Sequence, residues 1–173
     1  MNLIIDSSNI IINKRLLKDR KFNNLFCNSI FNLFSFEIDK PRILFNCENE
    51  YLKTIHKKLQ KNCEICIKNI KKYEIFCKCT HFCEFDLGIF FVENDEEIIL
   101  KMISGSGESL SQTKISIIEK CFVDWSNCKN VKLHTCTTFK PINQSFSNLI
   151  HEKQIEKLNN FCEWFNIYNL YQQ

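Results

Sequence analysis

Three groups of residues in this chain have types and spacings that could do chemistry: an early acid, a glycine–serine loop and a run of cysteines. The acid is Asp6, in Leu3-Ile4-Ile5-Asp6-Ser7-Ser8-Asn9. A carboxylate at the tip of a first strand is a place for a hard cation, which takes oxygen ligands. Two-metal cleavage of a phosphate ester clamps both oxygens of the displaced bond and needs three or four such acids. Asp86 and Glu108 are the residues that would have to join Asp6. In the later stretch Ile98–Ser109 the loop reads Ser-Gly-Ser-Gly-Glu-Ser, with a serine and not an acid at 106. A different cation motif, Asp-x-Ser-x-Ser, is met by Asp6 and Ser8 but has Ile10 at its third position. An isoleucine has no lone pair to give. The expectation is a chain without catalytic or metal-binding residues.

The cysteines offer another chemistry. Cys63-x-x-Cys66 is followed by Cys77, Cys79, His81 and Cys83, and four thiolates or imidazoles could hold Zn2+ tetrahedrally. The spacing matches no common zinc pattern. Cys77, Cys79, His81 and Cys83 alternate with strand period, so all would face one side, and cysteine is often fully buried. Whether Cys63, Cys66, Cys77 and Cys79 bind zinc stays open at this point, with core packing the expectation and no cofactor foreseen.

The elements that must position these residues alternate between strand and helix. Residues 2–6 read as a strand buried on both faces. Residues 15–34 read as an amphipathic helix, with Phe22, Leu25, Phe26, Ile30, Leu33 and Phe34 on one stripe. Strands are expected at Arg42–Phe45, at 74–79, at 96–103 and at 130–136. Helices are expected at 48–60, at 109–123 and from Leu149 to Tyr171. Asp86–Glu93 is apolar enough for either. Alternation of this kind predicts an α/β fold, a mostly parallel sheet with helices on both faces. Ligands of such sheets sit beyond the carboxyl ends of the strands, where Asp6 and the Ser104–Glu108 loop would be neighbours.

Composition narrows the class. With 45% hydrophobic and 25% charged residues over 173 positions, the chain has enough apolar material for a core and reads as one domain, 1–173. A net charge of +3 is too small to argue for direct nucleic-acid binding. Met1 leads directly into a strand, so a cleaved secretory signal is not expected, and no apolar run is long enough for a membrane span. The 11 cysteines are then expected in a reducing compartment as thiols.

Asp6, Ile10, Lys14, Leu17, Lys18, Asp19, Phe22 and Cys27 follow, without a gap, the opening of one family. The stretch 98–136, Ile98-Ile99-Leu100-Lys101-Met102-Ile103 through the Gly/Ser loop to Cys136, reads along a second block of it. On these residues the chain resembles the smaller von Willebrand factor A-type subunit of the TFIIH core (the Tfb-four type). On that resemblance a compact form is expected, without the family's C-terminal zinc module and its Gln-Gln…Thr-Gly-Gly stretch. The resemblance implies a three-layer, Rossmann-like von Willebrand factor A domain and a non-catalytic nuclear scaffold, acting in transcription initiation and nucleotide-excision repair. It implies the larger A-type subunit (the Ssl-one type) as partner, no small-molecule substrate, no membrane, and nucleic acid only indirectly. Asp6 would keep a structural role at a strand-to-helix turn. The last helix carries Trp164, Tyr168 and Tyr171 beyond the stripe that one sheet would bury, and these are the candidate partner-binding residues. The opening and the Gly/Ser strand also look like those of NYN- or PIN-like metal-dependent ribonucleases, active or degenerate, which is the alternative. A ubiquitin-receptor-like A-type domain of the proteasome shares the expected fold but has no matching block.

Overall fold

A computed structural model describes residues 3–6, 9–34, 38, 40–127 and 152–164 of the chain. The protein is α/β, built on a six-stranded mixed sheet. The strands are β1 Leu3–Asp6, β2 Asn9–Asn13, β3 Arg42–Phe45, β4 Glu64–Ile67, β5 Leu87–Glu93 and β6 Glu97–Ser104. They lie in the order β1-β2-β6-β5-β3-β4. Only β3 with β4 and β3 with β5 pair in parallel; the β1–β2, β2–β6 and β5–β6 pairings are antiparallel. The expected mostly parallel sheet is therefore corrected: two hairpins, β1–β2 and β5–β6, supply four of its six strands.

The first of these hairpins was not foreseen. Asn9-Ile10-Ile11-Ile12-Asn13 is a run of β-branched residues between two asparagines, and Asp-Ser-Ser-Asn before it is turn chemistry. The register Asp6↔Asn9 closes the hairpin. β1 is consequently an edge strand, with Ile4 54% exposed, and not a strand buried on both faces. The long helix expected over 15–34 is a short 3-10 turn, Leu16–Lys18, followed by α1, Arg20–Asn32. The break falls at Asp19, whose carboxylate accepts from Lys21 N at 2.7 Å and Phe22 N at 3.4 Å and so caps α1, an arrangement worth about 1 kcal/mol.

Four further helices are α2 Glu50–Leu59, α3 Tyr73–Phe82, α4 Gln112–Asn127 and α5, residues 152–164. The side chain of Asn49 caps α2 by accepting from Tyr51 N. α3 corrects the strand expected at 74–79. The alternating cysteines suggested period two, but Phe76, Cys79, Thr80 and Cys83 recur at three and four, and these are the buried residues. Asp86–Glu93, left open, contains strand β5. The strand expected at 130–136 and the ends of the helix expected from Leu149 to Tyr171 lie outside the described residues.

The helices cover both faces of the sheet. Phe22, Phe26 and Ile30 of α1, Leu52, Ile55 and Leu59 of α2, and Ile115, Ile118 and Phe122 of α4 form one core. Ile43, Phe45, Leu87, Ile89, Ile98, Leu100 and Met102 of the sheet meet them there. The alternate positions Leu44, Cys66, Phe90 and Ile103 face the other way and meet Phe76, Cys79 and Cys83 of α3 and Leu158 of α5. α3 lies so close to β5 that a Cβ on Gly88 would be 2.6 Å from Thr80 Oγ1 and 2.8 Å from a Phe76 ring carbon. On that second face the β1–β2 side is more open. Ile4, Ile11, Ile99 and Val92 line up in register across four strands and none is fully buried. No described helix is long and apolar enough to cross a membrane.

Candidate interaction surface

The acids singled out from the sequence are not gathered. Asp6 lies level with Asn9 and, through it, with Lys101 of β6. Asp86 precedes Leu87, which pairs with Ser104. Asp6 and Asp86 are thus three strands apart and about four residues out of level, or about 14 Å across the sheet and about 13 Å along it. They do share an edge of the sheet, as the sequence suggested, but it is the edge where the parallel strands β3, β4 and β5 begin. The carboxylate of Asp86 has a structural partner: Asp86 Oδ2 accepts from Arg42 N at 2.7 Å and Arg42 Nε at 3.3 Å. It ties the start of β3 to the start of β5. Asp6 ends β1 inside a hairpin, and the helix that follows is capped by Asp19.

The Gly/Ser loop is packed, not open. Ser104 Oγ meets Ser106 Oγ at 2.7 Å and the Glu108 carbonyl at 3.1 Å, and His81 Nδ1 donates to the Gly105 carbonyl at 3.1 Å. Gly107 has φ +81, and a Cβ there would stand 2.8 Å from the Cys77 carbonyl. The glycine at 107 lets the loop lie against α3. Ile10, at the third position of the cation motif, is fully buried in the first core. Among the described residues no three His, Cys, Asp or Glu side chains are placed to share a metal ion. A groove of about 490 Å³ among the described residues lies elsewhere, between α1 and α2, lined by Lys18, Arg20, Glu50, Tyr51 and Lys58 among others.

The cysteine run is split by the fold. Cys63 belongs to the first core, Cys66, Cys79 and Cys83 to the second, and Cys77 is half-buried on α3. Burial pushes the Cys63 thiol up to about 12 and the Cys66 and Cys83 thiols up to about 11, so they are neutral, packing side chains at neutral pH. Cys79 has a thiol neighbour, Cys162 of α5, with the sulfurs 4.0 Å apart.

What the described surface does present is aromatic. Phe82, at the end of α3, is 59% exposed, and Trp164, on α5, is 57% exposed. Phe161 lies between them, with ring centroids 5.7 Å from Phe82 and 6.3 Å from Trp164. Such a cluster is a common core of a protein–protein contact. α5 is held firmly enough to present it. Leu158 is buried in the second core, and the buried Gln154 donates through Nε2 to the carbonyls of Cys83 and Glu84 at 2.9 and 2.8 Å. Lys157 pairs with Glu84 at 2.9 Å, and Lys68 Nζ donates to Asn159 Oδ1 at 2.7 Å. Of the three partner-binding candidates, Trp164 is therefore at the surface, whereas Tyr168 and Tyr171 lie outside the described residues. Phe82 was missed from the sequence because α3 was read as a strand, which hid that its last turn meets α5. No protein-family model matches the sequence, and a search of curated proteins finds no match.

Proposed function

We propose that this chain is a non-catalytic scaffold subunit of TFIIH, a von Willebrand factor A-like domain over 1–173 that acts in the nucleus by binding the larger A-type subunit of the same core. The observation that carries the binding role is the exposed cluster Phe82–Phe161–Trp164, seated on a helix that is itself anchored by Gln154 and Leu158. The identity of the partner rests on the sequence resemblance of residues 6–27 and 98–136. The order of strand β6, Gly/Ser loop and helix α4 is the order that the second block of that resemblance requires. Asp86 engaged by Arg42, far from Asp6, supports a scaffold over the ribonuclease alternative.

Co-expression with the larger A-type subunit of the same species tests the reading. The two chains should co-purify, and the melting temperature of this chain should rise, since a partner at a hundredfold excess over Kd adds about 2.7 kcal/mol to apparent stability. Replacing Phe82 and Trp164 together by Ser should weaken the complex by about 2 kcal/mol or more, as for other aromatic anchors, and leave the melting of the isolated chain nearly unchanged. A chain that is monodisperse alone at high concentration and gains nothing from that partner would refute the scaffold role.

A further inference from the structure

The contact between Cys79 and Cys162 has a built environment. Cys79 is fully buried on α3, and Cys162 is half-buried on α5, with their sulfurs in van der Waals contact at 4.0 Å. Lys68, just beyond β4, is pinned by its bond to Asn159, one turn before Cys162 on the same helix. The pair joins two elements 83 residues apart in sequence. The sulfurs need to approach by ~2 Å to bond, within reach of side-chain rotation.

We propose that Cys79 and Cys162 form a reversible dithiol–disulfide site, oxidised by hydroperoxides, that staples α5 to α3. Cys162 is the attacking sulfur. It is the more exposed of the two, and the hydrogen bond with the Cys79 thiol, helped by the nearby Lys68 ammonium, lowers its pKa below the usual thiol value, the electropositive and accessible setting of reactive thiols. Cys79 is held well above the usual thiol range. In the first step the Cys162 thiolate attacks a peroxide oxygen. The S–O bond forms, the O–O bond breaks, and the leaving hydroxide takes a proton to become water. In the second step Cys79 loses its proton and its sulfur attacks Sγ of the Cys162 sulfenic acid. The S–S bond forms, the S–O bond breaks, and a second water leaves. Two thiols and one hydrogen peroxide give one disulfide and two waters. The sulfurs together lose two electrons, and the peroxide oxygens gain them. In a reducing compartment the bond would be transient. Its two ends sit on the helices that carry Phe82 and Phe161, but the site does not depend on what that surface binds.

Peptide mapping of the full-length protein under non-reducing conditions, after treatment with equimolar hydrogen peroxide, decides it. The expected product is a linked peptide pair containing Cys79 and Cys162, two hydrogens lighter than the separate peptides and released by dithiothreitol. Cys162→Ser should abolish the pair, and Cys79→Ser, which keeps a hydroxyl donor, should leave a Cys162 sulfenic acid that dimedone captures. Cys162 should also be alkylated at pH 7 several-fold faster in the folded chain than in the urea-unfolded chain. If peroxide leaves Cys79 and Cys162 unlinked in the wild-type chain, or links Cys162 chiefly to another cysteine, the proposal is wrong. Alkylation of Cys162 no faster in the folded chain than in the unfolded one would also overturn it.

Discussion

On the face covered by α1, α2 and α4, the sheet meets phenylalanine, leucine and isoleucine in a continuous core, and Phe22 stacks on Phe122 at 5.5 Å between centroids. On the face covered by α3 and α5 the core is smaller, five of its side chains are the cysteines Cys66, Cys77, Cys79, Cys83 and Cys162, and its outer helix is held by polar contacts. The difference is one of dependence. α1, α2 and α4 bury whole stripes, so the sheet cannot exist without them. α5 contributes one deeply buried leucine and a set of hydrogen bonds, so it is the element that can be released or clamped without dismantling the sheet. A surface meant to meet a partner is well placed on such an element.

Truncating one buried side chain on each face should break this comparison if it is wrong. Phe26→Ala removes a fully buried ring from α1 and should lower stability by about 3–5 kcal/mol in chemical unfolding. Leu158→Ala on α5 should cost only about 2 kcal/mol, the low end for such a change. Hydrogen exchange should then rise over 152–164 while the strands stay protected. Equal losses, with the strands losing protection in both variants, would mean that the second face is as integral as the first.

The faces should also differ in what disturbs them, oxidation acting on the second and acid on the first. His56 of α2 is buried, its ring 4.2 Å from that of Phe45, and Nε2 has no hydrogen-bond partner. Burial lowers its pKa to about 4. Above pH 6.5 the imidazole is neutral in both the folded and unfolded chain and contributes no pH dependence. As pH falls below 6.5 the unfolded chain takes up the proton first, so stability is lost progressively down to about pH 4 and no further, at up to about 1.4 kcal/mol per pH unit. The total is about 3.4 kcal/mol at most. His56→Leu should flatten this part of the stability profile between pH 6.5 and 4. An unchanged slope in that variant would show that the proton is taken up elsewhere.

Much of this division could be read from the residues. Phe22, Phe26 and Ile30 sit at helical spacing and do face the core, and the strands at Arg42–Phe45 and 96–103 lie where their apolar patterns put them. The α/β class followed from that alternation. The sheet's direction did not, because direction depends on which strands pair, and the antiparallel pairing of Leu3–Asp6 with the strand that begins at Asn9 turns Asp6 from the end of a central strand into the rim of a hairpin. β4 went unseen because Glu64-Ile65-Cys66-Ile67 is too short to show a period. In α3 two periods coexist, the cysteines at two and the buried residues at three and four, and burial follows the second. Of the aromatics that the sequence put on the last helix, the exposure of Trp164 is the part the structure describes. The inclusion of Phe82 in the candidate surface depends on a tertiary contact that no local pattern carries. Asp86 and the Gly/Ser loop suggested chemistry because strand ends favour the same small and acidic residues for tight turns as for ligands.

The smallest effect should come from the joint between α3 and α5. Glu84 follows the C-cap of α3 with φ 59, a left-handed conformation that glycine adopts without strain. Its carbonyl accepts from Gln154 and its carboxylate pairs with Lys157. Glu84→Gly keeps the carbonyl, and with it the anchor of α5. It loses an ion pair that is more than half exposed on both sides, of a kind usually worth little. It gains relief of left-handed strain of about 1 kcal/mol or slightly more, offset in part by the greater freedom of glycine in the unfolded chain. The expected net result is a small stabilisation, under about 1 kcal/mol, with hydrogen exchange over 152–164 unchanged. Gln154→Leu should have the opposite signature, leaving the carbonyls of Cys83 and Glu84 without their donor and loosening 152–164. A clear loss of stability in Glu84→Gly, accompanied by faster exchange of α5, would instead make the Lys157 pair a principal holder of the last helix, and the second face would depend on charge more than on Leu158 and Gln154.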